Sequence, residues 1–88
     1  MEVDMIGMLA VSKAGHDRGT TYVIIGEENE YVYLADGQVR GVDKPKKKNK
    51  KHIQVIKKMQ MEKPEDGFVD LEIKRTIKMF QEGANVKS

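Results

Sequence analysis

The most concentrated chemistry in this sequence is a run of ammonium groups. Lysine fills six of the eight positions from 44 to 51, and only Pro45 and Asn49 interrupt it. Ammonium groups neutralise phosphates, and each neutralised phosphate releases counterions, so such a run suits a polyanion. Because Pro45 and Asn49 disfavour a helix here, we interpret the run as a basic arm whose side chains spread from an irregular backbone. A plain solvated loop would have the same composition.

The rest of the chain does not share this charge. Residues 1–43 carry three basic and eight acidic groups, whereas residues 44–58 carry eight lysines and no acid. Such segregation creates a local positive field on an otherwise acidic body. The distribution therefore predicts a polyanionic partner, although the net charge is only +2.

A second set of basic side chains lies in a glycine-containing stretch near the amino terminus. Gly15 and Gly19 can adopt positive φ without steric cost, which favours a turn. Lys13, His16 and Arg18 belong to the same stretch. The planar guanidinium of Arg18 suits two phosphate oxygens at once. We expect this loop to provide a second contact for the same partner.

The same stretch contains residue types of a hydrolase, but their placement argues against catalysis. Ser12, His16 and Asp17 lie on one strand end and its turn, which cannot readily supply three converging side chains beside an oxyanion hole. No Gly-Lys-Ser/Thr follows Gly19, so the loop does not match a P-loop. Two histidines and no cysteine make a metal site unexpected. We therefore expect no enzyme activity, no cofactor, no metal and no small-molecule substrate.

Short strands must position these side chains. Alternation and β-branched or aromatic residues predict five strands, at residues 6–13, 20–25, 31–35, 38–42 and 52–56. Residues 26–30 read as a hairpin turn, and Asp36-Gly37 is a strong signal for another. Five short strands joined by tight turns are typical of a small barrel or sandwich.

The carboxy-terminal third of the chain changes to helical spacing. Apolar residues recur at intervals of four, four and three, at Val69, Ile73, Ile77 and Phe80. The pattern predicts a helix over residues 69–82 that buries this stripe against the strands. Gly83 is the expected stop signal.

Residues 11–23, with Gly15 and Gly19, resemble a KOW motif. Residues 35–37, Arg40 and residues 46–53 extend the resemblance to a bacterial family of small KOW-domain RNA-binding proteins. That family is itself similar to the archaeal and eukaryotic large-subunit ribosomal protein fourteen. The likeness covers residues 6–56 and, more loosely, the helix. Two departures are Tyr22, where many KOW motifs have a third glycine, and Val69, where the family's helix usually opens with threonine.

The resemblance implies a mostly β fold, an SH3-like five-stranded barrel (KOW domain) with a C-terminal α-helix. It implies a non-enzymatic RNA-binding protein, ribosomal or ribosome-associated, with ribosomal RNA as partner and ribosomal proteins as further candidates. The expected RNA-binding residues are Lys13, His16, Arg18, Arg40, Lys44, Lys46, Lys47, Lys48, Asn49, Lys50, Lys51 and His52. Among these, Asn49 suits a base edge or sugar, and His52 suits stacking. The predicted helix carries both acids and bases, so we favour RNA over double-stranded DNA.

Two alternatives remain open at this point. KOW domains of transcription and translation factors also contact proteins, so a protein-interaction module is the second hypothesis. Tyr31 and Tyr33 share one strand face, where they either stack on bases or cover the core.

The length and the amino-terminal residues of the chain predict its domain organisation and location. Eighty-eight residues suit one domain, with residues 1–58 as the barrel including the arm at 44–52, residues 59–83 as linker and helix, and residues 84–88 as a tail. Glu2 and Asp4 stand where an export signal would carry positive charge. Without an apolar run of about 20 residues, we expect no membrane span. We expect a cytoplasmic protein, monomeric when free.

Overall fold

The structure, a computed structural model, describes residues 4–86, with side chains up to residue 83. Within these residues the chain forms a five-stranded sheet, a short 3-10 helix and one α-helix. Their bounds are β1 Met8–Ser12, β2 Thr21–Glu28, β3 Tyr31–Ala35, β4 Lys46–Asn49, the 3-10 helix Lys50–His52, β5 Ile53–Gln60 and α1 Asp70–Val86. The described helix is not long and apolar enough to cross a membrane.

The sheet is antiparallel, with the strand order β4-β3-β2-β1-β5. The two edge strands are nevertheless joined by only the three residues of the 3-10 helix. In a flat sheet these edges would lie about 19 Å apart, whereas the four residue steps from Asn49 to Ile53 reach at most about 14 Å. The sheet must therefore curl. In the described part of the chain no strand pairing joins β4 to β5, so the mostly β prediction is confirmed and a closed barrel is not.

The inner face of the curled sheet carries one hydrophobic cluster. Its buried members come from every strand but β4, and they are Met8, Ala10, Tyr22, Ile24, Val32, Leu34 and Ile53. No described helix packs on this face, so the curl of the sheet itself covers these side chains. Alternation along β2 and β3 explains the cluster, because every second residue points inward.

The outer face carries the second cluster, and α1 covers it. Leu9, Val23 and Ala35 are buried there against Ile73 and Ile77. The helical stripe predicted from the sequence is thus confirmed in its middle.

The ends of the predicted helix differ from the structure. The helix begins at Asp70, and Val69 stays 49% exposed just before it. Gly83 does not stop the helix, which continues to Val86 and includes the first part of the predicted tail. Residues 87–88 of that tail, and Glu2, lie outside the described residues.

The fourth predicted strand, at residues 38–42, is wrong. Asp36 Oδ1 instead accepts from the backbone N–H groups of Gln38 (2.9 Å) and Arg40 (2.8 Å), which folds the segment into a loop. The loop packs on the start of α1, where the N–H of Val42 donates to Asp70 Oδ1 at 2.8 Å. Gly37 has φ +80°, and a Cβ there would collide with the carbonyl oxygen of Asp70. The Asp-Gly pair therefore serves a docked loop and not a two-residue hairpin.

The lysine run also differs from the prediction, because part of it is a strand. Lys46–Asn49 forms β4 and pairs with β3, Leu34 opposite Lys46 and Tyr31 opposite Asn49. The predicted irregular arm is therefore an edge strand followed by the 3-10 helix. Three other strands also differ in their bounds: β1 covers only Met8–Ser12 of the predicted residues 6–13, β2 runs on to Glu28 and β5 runs on to Gln60.

Candidate nucleic-acid interface

The loop between β1 and β2 folds tightly through its own backbone. Gly15 has φ +87° and Gly19 has φ +92°, a backbone conformation that glycine adopts without steric cost. The N–H of Arg18 donates to the carbonyl of Gly15 at 3.2 Å, and the N–H of Gly19 donates to the carbonyl of Ser12 at 2.9 Å. These bonds fix the loop while leaving the side chains of His16 and Arg18 exposed.

The loop and the lysine segment lie side by side. The N–H of Lys13 donates to the carbonyl of His52 at 2.8 Å. Lys48 Nζ donates to the carbonyl of Ala14 at 3.1 Å. Asn49 fixes the 3-10 helix, since its Oδ1 accepts from the N–H of Lys51 at 2.8 Å. The two basic segments of the sequence therefore share one surface.

We call the exposed basic side chains of these two segments the basic rim. It consists of side chains from the β1–β2 loop, β4 and the 3-10 helix: Lys13, His16, Arg18, Lys47, Lys51 and His52. Lys47 lies on the outer face of β4, opposite to Lys46 and Lys48, with its Nζ 4.6 Å from the ring centroid of Tyr31. A cation held over a ring in this way stays exposed while its side chain is restrained.

Asp17 forms ion pairs with two of the other lysines, Lys46 and Lys48. Its Oδ1 accepts from Ser12 Oγ at 2.9 Å and from Lys48 Nζ at 3.0 Å. Its Oδ2 accepts from the hydroxyl of Tyr22 at 2.7 Å and lies 3.2 Å from Lys46 Nζ. The Asp17 side chain is only 13% exposed and that of Lys48 only 10%. Lys46 and Lys48 thus point to the inner face and serve the fold.

The Asp17 contacts shift two pKa values. Burial raises the pKa of Asp17, but hydrogen bonds from Tyr22, Lys48, Ser12 and Lys46 outweigh it and hold the pKa well below its ordinary value. Burial, and then the bond to Asp17, raise the pKa of the Tyr22 hydroxyl far above its ordinary value. At neutral pH the site is thus a charged carboxylate held by a neutral phenol and two ammonium groups.

The loop between β3 and β4, residues 36–45 (the 36–45 loop), also carries charges that act on this site. Asp36 raises the pKa of Tyr22 further, and Arg40 opposes that effect. Arg40 is exposed, and its charge acts near the β1–β2 loop. Lys44 is exposed on the same 36–45 loop, with no contact that ties its side chain to the rim in the described structure.

The hairpin between β2 and β3 brings acids to the far side of the lysine segment. Lys50 Nζ lies 2.5 Å from Glu27 Oε2, and both side chains remain about a third exposed at 31% and 29%. The hydroxyl of Tyr33 donates to Glu28 Oε1 at 2.6 Å, and this bond raises the pKa of Tyr33. The positive surface is therefore bounded on this side.

The three tyrosines divide between core and surface. Tyr22 belongs to the inner cluster, with 3% of its surface exposed. Tyr31 and Tyr33 lie on the outer face of β3 and belong to neither cluster, and Tyr31 is 39% exposed. The ring of Tyr33 instead packs over Gly26.

The hydrolase-like residues do not come together as a triad. Ser12 is buried and its hydroxyl donates to the carbonyl of Ala14 at 3.0 Å as well as to Asp17. His16 is exposed on the loop. In the described range, no group of three or more histidine, aspartate or glutamate side chains could hold a metal ion.

Sequence reasoning missed the acids of this surface. Asp17 stood next to the predicted site, but its lysine partners lie 29 and 31 positions away. Only the pairing of β4 with β3, which directs Lys46 and Lys48 inward, reveals these contacts. Glu27 was missed because its partner, Lys50, lies 23 positions away in the sequence. No protein-family model and no curated protein gives a significant match to this chain.

Proposed function

We propose that this protein is a non-enzymatic RNA-binding module that works in the cytoplasm on ribosomal RNA, as a ribosomal or ribosome-associated protein. In this proposal the curled sheet is an SH3-like barrel of the KOW type, and the basic rim binds RNA phosphates. The observation that carries the proposal is the contact between the glycine loop and the lysine segment, at Lys13–His52 and Ala14–Lys48. Two basic segments far apart in sequence form one surface.

The charge of this surface supports a polyanionic ligand. Residues 13–20 and 46–52 carry seven lysines and arginines and one acid, Asp17. Although Asp17 neutralises part of that charge, the field over the rim remains positive and attracts phosphates. Arg18 supplies a planar fork for two phosphate oxygens, and the imidazoles of His16 and His52 supply flat surfaces for unstacked bases. The rim thus combines charge with stacking, as single-stranded or looped RNA requires.

The exposed rim cations, not the buried lysines, are the right test of binding. Replacing Lys46 or Lys48 would remove partners of Asp17 and perturb the fold as well. The test variant therefore changes Lys13, Arg18, Lys47 and Lys51 to Gln. The matched control makes the same change of charge and residue type at exposed positions on β5, the linker and α1, at Lys57, Lys58, Lys63 and Arg75.

Fluorescence anisotropy with labelled ribosomal-RNA fragments, over a range of salt concentrations, measures the effect. With about five phosphate contacts, the logarithm of affinity should fall with the logarithm of salt at a slope of about −3.5. The rim variant should lose about 100-fold or more in affinity and flatten the slope to about −1. The control variant should keep both. A rim variant that melts like the unmodified protein and still binds with full affinity would refute the proposal.

A protein-interaction module is the second candidate, and one observation favours it. Leu71 and Met79 are 62% and 55% exposed on α1, and Val69 is 49% exposed just before it. Exposed apolar side chains can contribute to a contact with another protein. Under this alternative, partner binding depends weakly on salt and is lost on changing Leu71 and Met79 to Ser, while the rim variant binds normally.

A further inference from the structure

A second concave surface begins where the basic rim ends. A groove of about 370 Å³ lies between the end of the β1–β2 loop, the 36–45 loop and one flank of α1. Gly19 and Thr20 line it from the β1–β2 loop, directly after Arg18. A Cβ on Gly19 would meet nothing within 4 Å, so the backbone here is open to a ligand. The groove therefore borders the loop that carries Arg18 of the rim.

The helix flank supplies positive charge to the groove. Lys74 and Lys78 line it from one face of α1, one turn apart, and Gln81 follows on the same flank. Both lysines are exposed, and the ion pairs of the described residues involve neither of them. Two unpaired ammonium groups at this spacing suit a phosphate.

The opposite wall supplies a different chemistry. Asp36 and Gln38 line it from the 36–45 loop. Asp36 is held in place, since its Oδ1 accepts from two backbone N–H groups of that loop. A carboxylate repels phosphate but accepts a hydrogen bond from a hydroxyl, and such charge-assisted bonds are strong. A ligand that carries both a phosphate and a hydroxyl therefore fits this groove better than a phosphate alone.

We propose that this groove binds a ribose-phosphate unit of the RNA strand held by the basic rim. Lys74 and Lys78 contact the phosphate, and Asp36 accepts from the 2′-hydroxyl. The groove thereby extends the RNA path from the loop onto α1 and distinguishes RNA from DNA, because DNA lacks that hydroxyl. This inference rests on the proposed function of the rim.

Two variants test the groove with a labelled uridine oligonucleotide and its 2′-deoxy counterpart as probes. The double change Lys74→Gln and Lys78→Gln should weaken RNA binding about tenfold and reduce the salt slope by about 1.4, since it removes two phosphate contacts. Asp36→Asn keeps the oxygen that caps the loop but removes its charge. It should lower the ratio of RNA affinity to DNA affinity about fivefold. The double change Lys57→Gln and Lys58→Gln is the matched control and should change neither quantity.

The outcomes separate the groove from the rim. If the rim variant loses RNA binding while the Lys74 and Lys78 variant binds normally, the groove proposal is wrong and the proposed function stands. If neither variant loses affinity, both are wrong. If the helix variant weakens binding but Asp36→Asn leaves the RNA-to-DNA ratio unchanged, the assignment of the 2′-hydroxyl is overturned.

Discussion

Asp17 connects parts of the chain that backbone hydrogen bonds leave apart. In the sheet, β4 is separated from β1 by β2 and β3. The Asp17 carboxylate nevertheless accepts from Ser12 of β1, Tyr22 of β2 and Lys48 of β4. Side-chain bonds thus hold the curl of the sheet where no strand pairing does. Their cost is that two lysines next to the proposed RNA surface share the negative charge of Asp17.

We predict that Asp17→Asn lowers the free energy of unfolding by about 3 kcal/mol at pH 7, because it leaves the ammonium group of Lys48 without its anion. Urea denaturation of the variant, beside the exposed change Asp66→Asn as control, measures the loss. A loss equal to that of the control would show that Asp17 is not structurally important.

The same variant should change the response to acid. The pKa of Asp17 is about 3.9 in the unfolded chain and lies well below that in the folded protein. Its contribution is therefore complete above about pH 5 and is lost as the pH falls through the folded pKa, because protonation favours the unfolded chain. Denaturation between pH 6 and about pH 2 should show a shallower decline for Asp17→Asn than for the unmodified protein. Parallel declines would contradict the prediction.

At the scale of elements, β4 is the part of the fold that the sequence predicted least well. β3 was predicted to the residue, because Tyr31-Val-Tyr-Leu-Ala alternates and is rich in strand-forming side chains. β4 consists of three lysines and an asparagine, which have low strand propensity and no apolar alternation. Lysines are nonetheless common on edge strands, where their charge opposes pairing with a second sheet. The segment is a strand because it pairs with the otherwise free edge of β3.

The neighbouring β2–β3 hairpin should weaken RNA binding. Its Glu27 pairs with Lys50, and both side chains are partly exposed, so a phosphate would have to displace the carboxylate. We predict that Glu27→Gln raises RNA affinity about two- to fivefold, the range of one exposed ion pair. The salt slope should steepen by about 0.7, since one more cation becomes available to phosphate.

The control for this prediction is Glu65→Gln, which removes the same charge from an exposed turn outside the hairpin. Anisotropy titrations of both variants with the same RNA measure the affinity and the salt slope. Equal gains in the two variants would mean that only net charge changed, and that Lys50 has no part in binding.

At the scale of the whole molecule, the fold uses both faces of one sheet. The inner face is covered by the curl and the outer face by α1, so each cluster depends on a different element. The helical stripe was predictable because its period appears in the sequence alone. The docking of the 36–45 loop was not, because it depends on Asp70 of α1 accepting from Val42, 28 residues away. The shared surface of loop and lysine segment was expected from the resemblance, whereas its internal ion pairs required the register of β4.

Because α1 supplies the buried side chains of Ile73 and Ile77 to the outer cluster, the sheet and the helix should unfold together. Ile73 is fully buried against Leu9, Val23 and Ala35, while Leu71 two positions earlier is 62% exposed. We predict that Ile73→Ala lowers the free energy of unfolding by about 3 kcal/mol through lost burial and the cavity left behind. Leu71→Ala should change it by less than about 0.5 kcal/mol. Urea denaturation followed by both circular dichroism and tyrosine fluorescence should give one coincident transition for each variant. If the helical signal of Ile73→Ala is lost before the tyrosine signal, the sheet is stable without α1, and the helix is an attachment to the fold instead of its second layer.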